Sequence, residues 1–360
     1  MPSQAVAKES RHGHAADSFR QVNLVSDLAS VKPKLIDASV INPWGISFGT
    51  SRGATTPLWV ANQGSNTTTV YRGGTPQQHG VQKLLSVNAS SPTGTVFNDT
   101  NGFALIRNGV TSPSAFLFNE NLFSQDGTPT GALSGWSGTS PASTFIAPGT
   151  ESPGTFYTGL ALVKTGHGPR LLAVGGPTVD VFDSNFHRVM LAKGHDFTDP
   201  HIKNLAPYNV ATFGNRVYVA YASLDGPEGA LSVFTNNGRL IKTLVNVGQR
   251  SNHFIAPWGM AIAPKHWGDF GGDLLVGNVG DGRIHAYDPE SGKFEGTLKD
   301  SRGHDIINTG LWGLAFGNGV IGTPRTLIFA AGIGLTPQDE VHEYEHGLVG
   351  LIIPNEERDD

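Results

Sequence analysis

The chain has 360 residues, of which 38% are hydrophobic and 15% are charged, and its formal net charge is −5 at pH 7. Nucleic-acid binding requires a basic face, and a membrane-spanning helix requires about 20 consecutive apolar residues. The sequence offers neither, so we expect no nucleic-acid partner and no membrane span. It contains no cysteine, which excludes disulfides, thiolate metal ligands and a cysteine nucleophile. No glycine-rich phosphate loop opens a helix pattern, so we expect no nucleotide cofactor.

The first segment, residues 1–18, is polar and has no apolar core, so it does not resemble a signal peptide. We predict a flexible leader over residues 1–18, a single domain over 19–354 and a disordered tail over 355–360. The composition is poor in lysine and rich in Ser, Thr, Gly and Asn, as in many exported proteins. We therefore expect an extracellular or periplasmic location. The signal peptide that such a location requires is absent from this chain, as it would be after its removal.

One short phrase recurs along the chain as NPWGI at 42–46, APWGM at 256–260 and GLWGL at 310–314. Gly45 and Gly313 lie 313 − 45 = 268 residues apart, and Gly259 lies 313 − 259 = 54 residues before the last, so 268 is close to five repeats. Weaker copies at 101–105, 158–162 and 208–211 bring the number to six. A repeat of this length is typical of a four-stranded propeller blade.

Short apolar runs bounded by turn residues follow each copy of the phrase, which is the pattern of β-strands. The expected second strands are 58–61, 115–118, 171–174, 217–220, 274–277 and 327–330. The expected third strands are 69–71, 132–134, 179–182, 231–234, 284–287 and 348–351. The expected fourth strands are 81–85, 144–146, 189–191, 240–244 and 294–298.

The sixth unit has no fourth strand of its own, whereas an unassigned strand lies at 19–25. Pairing that strand with 347–352 would close a ring and leave no exposed sheet edge. We therefore predict an all-β fold, a six-bladed β-propeller of four-stranded blades that is closed by the N-terminal strand in the last blade. An open stack of the same six units is the alternative.

Several phrases carry a resemblance to a known family: NLVSD at 23–27, NPWGI at 42–46, LWVAN at 58–62 and HGLVG at 346–350. They resemble a family of predicted secreted, mostly bacterial six-bladed propellers of undefined function. More distantly, the units are similar to NHL-type propellers, which include lactonases, the amidating lyase of peptide maturation, strictosidine-synthase-like enzymes and binding scaffolds. The nearer family implies the fold and export, and it implies no particular activity.

Histidines occur in three consecutive loops that lead into predicted inner strands. His201, His253 and His304 precede their repeat positions by 209 − 201 = 8, 259 − 253 = 6 and 313 − 304 = 9 residues. Similar offsets would place three imidazoles on one rim of the channel, where they could bind Zn, Cu or Fe and leave a position open for substrate. Asp199 and Asp305 are the predicted groups that orient the rings.

The amidating lyase family is relevant because it builds a three-histidine zinc site in a six-bladed channel. Its ligands come from alternate blades, whereas the histidines here would come from neighbouring blades. Further rim candidates are Asn98, Asp99 and His195. A Ca²⁺ site is a separate hypothesis, since the oxygens of Asn98, Asp99, Asn209 and Asp305 are suitable ligands.

Two other features have structural interpretations that compete with functional ones. His342 and His346 have an i, i+4 spacing that converges on a metal only in a helix, and the segment has the pattern of a loop. Trp44, Trp258 and Trp312 recur with the repeat, as residues that pack between blades must.

Two classes of function follow. The first is a metal-dependent lyase, hydrolase or oxidoreductase that acts on a small or extended organic substrate in the channel. The second is a non-catalytic extracellular binding or matrix scaffold.

Overall fold

The computed structural model describes residues 18–51, 53–107, 109–138, 142–223 and 225–355. The predicted leader and tail lie almost entirely outside these ranges, so the predicted domain limits stay predictions. Strands dominate the described chain and form six blade sheets and two small two-stranded sheets, which confirms the predicted all-β propeller. Two 3₁₀-helices, Ala29–Val31 and Gly268–Phe270, interrupt the strands.

The strands are numbered along the chain, and within each blade they run from the channel outwards. Blade 1 contains β3 Pro43–Ser47, β6 Leu58–Asn62, β7 Thr67–Gly73 and β8 Val81–Asn88. Blade 2 contains β9 Thr95–Phe97, β12 Phe116–Phe123, β13 Pro129–Trp136 and β14 Phe145–Ile146, with β15 Ser152–Pro153 also paired to β13. Blade 3 contains β16 Gly159–Thr165, β17 Gly168–Val174 and β18 Asp180–Phe182.

The remaining blades follow in chain order. Blade 4 contains β19 Ala206–Phe213, β20 Arg216–Ala222, β21 Gly229–Thr235 and β22 Leu240–Val245. Blade 5 contains β23 Pro257–Ile262, β24 Leu274–Asn278, β25 Ile284–Tyr287 and β26 Phe294–Thr297. Blade 6 contains β27 Leu311–Phe316, β28 Leu327–Ala331, β29 Leu348–Pro354, β1 Phe19–Ser26 and the short parallel strand β2 Leu35–Ile36. Two small hairpins pair β4 Thr50–Ser51 with β5 Ala54–Thr55 and β10 Ala104–Arg107 with β11 Val110–Pro113.

The predicted ring closure is confirmed. Strand β1 pairs antiparallel with β29, from Phe19 opposite Pro354 to Ser26 opposite Leu348. The inner strands also form a complete ring, because β3 contacts β9, β9 contacts β16, β16 contacts β19, β19 contacts β23, β23 contacts β27 and β27 contacts β3. The alternative of an open stack is therefore wrong.

The recurring glycine is explained by close packing between inner strands. A Cβ on Gly45 would lie 2.5 Å from the backbone oxygen of Thr93 in blade 2, and a Cβ on Gly313 would lie 2.6 Å from that of Trp44 in blade 1. Blade 4 has Asn209 at this position, and its Nδ2 donates to the Trp258 carbonyl of the next blade at 2.7 Å. The repeat thus marks the contacts that hold the blades around the axis.

The structure corrects the second copy of the repeat. The inner strand of blade 2 is β9, so the repeat glycine there is Gly94 rather than Gly102. A Cβ on Gly94 would lie 2.6 Å from the backbone nitrogen of Leu160 in blade 3, as expected for a blade contact. Ser91, three residues earlier, has a left-handed φ of 42°, close to the 43° of Asn42 in blade 1. The predicted copy at 101–105 overlaps the start of the β10–β11 hairpin instead.

The predicted fourth strand of blade 3, residues 189–191, is also wrong. This part of the chain makes one isolated bridge, between Phe182 and Arg188, and a hydrogen bond from the Val189 amide to the Val181 carbonyl. Met190 is 88% exposed, so the segment gains little from burial of its apolar side chain. Blade 3 is consequently a three-stranded sheet.

Candidate functional site

The three repeat tryptophans close one end of the central channel. Trp44, Trp258 and Trp312 are buried, and each ring contacts the other two, with the Trp44 and Trp312 centroids 3.5 Å apart. Phe156 of blade 3 contacts Trp44, and Tyr208 of blade 4 contacts Trp312. The contact of Phe156 with Trp44 joins blades 3 and 1, and that of Tyr208 with Trp312 joins blades 4 and 6. Both contacts pass over an intervening blade, so they reach across the axis. The tryptophans therefore pack between blades, as predicted, and together they also plug the channel.

The plug lies where the chain enters the inner strands, which we call the upper face. The opposite, lower face lies where the inner strands end. A cavity of about 770 Å³ occupies the channel below the plug and is lined by residues of all six inner strands or the segments that follow them. Because Thr50, Asp99, Lys164 and Asn215 follow or end inner strands and line this cavity, its mouth is on the lower face. Its volume is in the range of small-molecule sites.

An ion pair lies at this mouth. Lys164 Nζ is 2.5 Å from Asp99 Oδ2, and both side chains are substantially exposed. The sequence indicates this pair once Gly94, rather than Gly102, is taken as the repeat glycine of blade 2. Asp99 comes 99 − 94 = 5 residues after Gly94, and Lys164 comes 164 − 159 = 5 residues after Gly159. Equal offsets in neighbouring blades place opposite charges at the same height in the channel.

Neutral polar groups line the cavity above the ion pair. The Ser47 and Thr95 hydroxyls of blades 1 and 2 are hydrogen bonded at 3.0 Å. Asn209 and Thr212 of blade 4 also line it, as do Asn215 and Asn236 near the mouth. Among the described lining residues, Asp99 is the one carboxylate. The chemistry offered is therefore hydroxyl and amide hydrogen bonding with one pair of opposite charges, on walls that also carry apolar side chains such as Phe48, Leu162 and Met260.

The predicted histidine ligands lie outside the cavity lining. The His253 ring packs on Phe294 of the outer strand β26, with centroids 4.0 Å apart, and 5.8 Å from the His285 ring. His304 is exposed beside Asp300, with Nδ1 to Oδ2 at 3.7 Å. His201 is exposed, and its carbonyl accepts a hydrogen bond from Asn246. Across the described residues, no group of three or more His, Asp or Glu side chains could hold a metal ion.

Asp199 and Asp305, the predicted ring-orienting groups, have other partners. The buried Asp199 carboxylate accepts from Ser232 Oγ and Thr243 Oγ1, both at 2.6 Å, and from the backbone amide of His201 rather than its ring. Asp305 forms ion pairs with Arg283 at 2.9 Å and Lys299 at 3.4 Å. Burial raises the pKa of Asp305, but the hydrogen bonds from Arg283 and Lys299 outweigh it and leave this pKa below its usual value. Each of the two carboxylates therefore bonds its own loop to residues of a blade.

The other rim candidates divide into three cases. Asn98 is buried and donates to the Gly102 and Ser114 carbonyls, so it shapes the loop after β9. Asp99 lines the channel, although on the face opposite to the one predicted. His195 lies in a turn, where its amide donates to the Ala192 carbonyl, and it also lines a groove of about 740 Å³ that shares Lys164 with the channel mouth.

The two histidines at i, i+4 spacing bind different carboxylates. His342 Nδ1 lies 2.9 Å from Asp339, and His346 Nδ1 lies 2.6 Å from Asp27. The segment is not helical, as predicted.

No helix in the described ranges is long and apolar enough to cross a membrane.

Comparison with known proteins identifies relatives in Acanthamoeba polyphaga mimivirus. No protein-family model matches the chain. It is 30% identical over 295 residues to uncharacterized protein R648 of Acanthamoeba polyphaga mimivirus, covering 78% of this chain and 69% of the relative. It is 28% identical over 314 residues to uncharacterized protein L690 of the same virus, covering 82% of this chain and 78% of the relative. The chain belongs to the family of R648. The resemblance to secreted bacterial propellers stays a prediction.

Solved structures with a similar fold are β-propellers that include enzymes. An alpha-L-arabinofuranosidase from Fusarium graminearum has a TM-score of 0.55 at 10% identity, covering 94% of this chain and 98% of its own. A putative oxidoreductase (glucose dehydrogenase) from Thermus thermophilus has a TM-score of 0.51 at 11% identity, covering 93% and 100%. The PQQ-bound aldose sugar dehydrogenase of Streptomyces coelicolor has a TM-score of 0.50 at 11% identity, covering 94% and 99%. At these identities the likeness shows the fold alone.

Proposed function

We propose that the channel binds a small, uncharged, hydroxyl-rich molecule of the carbohydrate class through its lower mouth. The observation that carries this proposal is a cavity of about 770 Å³ that is closed above by the tryptophan plug and has Lys164 and Asp99 at its opening. Hydroxyl and amide groups that both donate and accept hydrogen bonds complement the hydroxyls of a sugar. The three solved propellers compared above are named for action on sugars, which guides the choice of sugars to test, although their likeness to this chain shows the fold alone.

Binding fits the channel better than hydrolysis. Most glycoside hydrolases require two carboxyl groups on either side of the scissile bond. Asp99 is the one carboxylate among the described residues of the lining, and its charge is paired with Lys164. These residues can therefore hold a sugar without supplying the acid and base for its cleavage.

The test is calorimetric titration of the full chain with D-glucose, L-arabinose and their short oligosaccharides. We expect at least one of these sugars to bind, and we expect Lys164→Met to weaken that binding about tenfold, which corresponds to about 1.4 kcal/mol. Lys293→Met is the matched control, because Lys293 also forms an exposed ion pair, with Glu295 at 3.1 Å, and does not line the channel. No binding by any sugar of the panel, or equal binding by both variants, would contradict the proposal.

A metal-dependent enzyme built on His201, His253 and His304 stays a prediction, and none of the contacts described above favours it. Metal analysis of protein purified without added metal tests it directly. Stoichiometric Zn, Cu or Fe that is lost in His253→Ala would support that enzyme. The extracellular or periplasmic location also stays a prediction, and fractionation of producing cells tests it.

A further inference from the structure

A second cavity lies in the seam between blades 6 and 1, away from the central channel. Its volume is about 420 Å³. The floor is apolar and comes from the ring-closing sheet, where Val22 of β1 lies opposite Leu351 of β29 and Ile353 follows on the same face. We call this cavity the seam pocket.

The walls of the seam pocket come from two turns that are bonded to each other. One turn joins β7 to β8 in blade 1 and contributes Pro76; the other joins β27 to β28 in blade 6 and contributes Thr323 and Thr326. The Gly73 amide donates to the Val320 carbonyl at 2.8 Å, and the Gly322 amide donates to the Gly73 carbonyl at 3.2 Å. These hydrogen bonds fix the two walls relative to each other.

The rim of the seam pocket is cationic. Arg20, Lys34 and Arg325 line it together with His79, and no carboxylate is among its described lining residues. Lys34 Nζ donates to the His79 carbonyl at 2.8 Å, which links two sides of the rim. None of the ion pairs found within the described ranges uses Arg20, Lys34 or Arg325. A concentration of positive charge is unexpected on a chain whose formal net charge is −5.

We propose that the seam pocket binds an amphipathic organic anion, a molecule with an apolar body and a single carboxylate group. The apolar floor would bury the body, and the guanidinium groups of Arg20 and Arg325 would bind the carboxylate with charge-assisted hydrogen bonds. The volume is sufficient for a medium-chain carboxylate, since small-molecule sites begin near ~300 Å³. This proposal does not depend on sugar binding in the channel.

The test is titration of the full chain with sodium decanoate, and with acetate and 1-decanol as probes that lack the apolar body or the charge. We expect decanoate to bind at least tenfold more tightly than either probe, and more weakly as salt is added, because exposed charges are screened. Arg20→Glu should lower decanoate affinity at least tenfold. Lys193→Glu, a charge reversal at an exposed loop residue remote from the seam in sequence, should leave it unchanged.

Three results would overturn the proposal. Equal binding of decanol and decanoate would show that the charge is not recognised. Equal affinity of the two charge-reversal variants would show that the rim is not involved. A variant that ends at Asn355 lacks four acidic residues, Glu356, Glu357, Asp359 and Asp360. If decanoate bound only to that variant, the chain's own acidic segment would be the occupant rather than an external ligand.

Discussion

Trp44 and Trp312 stack face to face between the neighbouring blades 1 and 6, with ring centroids 3.5 Å apart and ring planes at 14° to each other. They belong to the first and the last blade, so this contact joins the two ends of the ring. Trp312 also donates its Nε1 hydrogen to Asn42 Oδ1 at 3.0 Å. The pair therefore serves both ring closure and the plug above the channel.

Removing one of these two tryptophan rings should lower the stability of the folded protein. Trp312→Ala should lower the free energy of unfolding by about 3–5 kcal/mol, because it leaves a cavity and removes a stacked aromatic contact. Trp312→Phe should cost less, since it keeps the packing and loses the bond to Asn42. Denaturant unfolding measures both variants. Equal loss in the two would show that the hydrogen bond, rather than the packing, holds the plug.

The ring-closing strand should be essential to stability. Deleting residues 1–26 removes β1 and its buried Phe19, Leu24 and Val25. Burial of one such side chain is worth about 1.5–3 kcal/mol, so we expect a loss of several kcal/mol and exposure of a sheet edge. Deletion of residues 1–17 is the control and should leave thermal unfolding nearly unchanged. Equal melting of the two truncations would contradict the closure.

The repeat glycines should not tolerate even a methyl group. Gly313→Ala places a Cβ 2.6 Å from the Trp44 carbonyl oxygen, and we expect a loss of about 1–3 kcal/mol from overpacking. Gly80→Ala is the matched control, because a Cβ there meets no atom within 4 Å and should have little effect. Thermal unfolding of both variants measures the difference. Two equally stable variants would mean that the inner strands can move apart.

Acid should destabilise the protein through His285 of blade 5. Burial lowers the pKa of this imidazole to about 4; the charge of Asp281 opposes this lowering, the neighbouring His253 and Arg283 add to it, and Asp305 opposes it to a smaller extent. An unfolded histidine titrates near pH ~6.5, so the unfolded chain binds more protons between about pH 6.5 and 4. This contribution to stability is complete above about pH 6.5 and falls by up to about 3 kcal/mol as the pH approaches 4.

Unfolding at a series of pH values measures this effect. His285→Gln does not titrate, so its stability should fall less than that of the parent chain between pH 6.5 and 4. His187→Gln is the control at an exposed ring and should keep the pH dependence of the parent. An unchanged pH profile in His285→Gln would show that other groups cause the acid sensitivity.

The sequence was sufficient for the architecture because a propeller is built from local repeats. Each blade pairs strands that follow one another, so apolar runs and turns predict the sheets directly. The closing strand followed from a missing partner, since an unpaired edge at 347–352 required a strand and the predicted strand at 19–25 had no other place. The second repeat was misplaced because Gly94 is preceded by Thr93 rather than tryptophan, while Gly102 lay at a more regular spacing.

The site depended on tertiary structure for a different reason. Sequence offsets along the loops placed His201, His253 and His304 at comparable positions, but a loop's path is set by what it packs against. His253 packs on Phe294 at the outside of its blade, and His304 extends into solvent beside Asp300. Lys164 and Asp99 are 164 − 99 = 65 residues apart and meet because two inner strands lie side by side. Local pattern therefore determined the strands of the blades apart from the inner strand of blade 2 and the fourth strand of blade 3, whereas only packing around the axis decided which end of the channel is closed and which side chains line it.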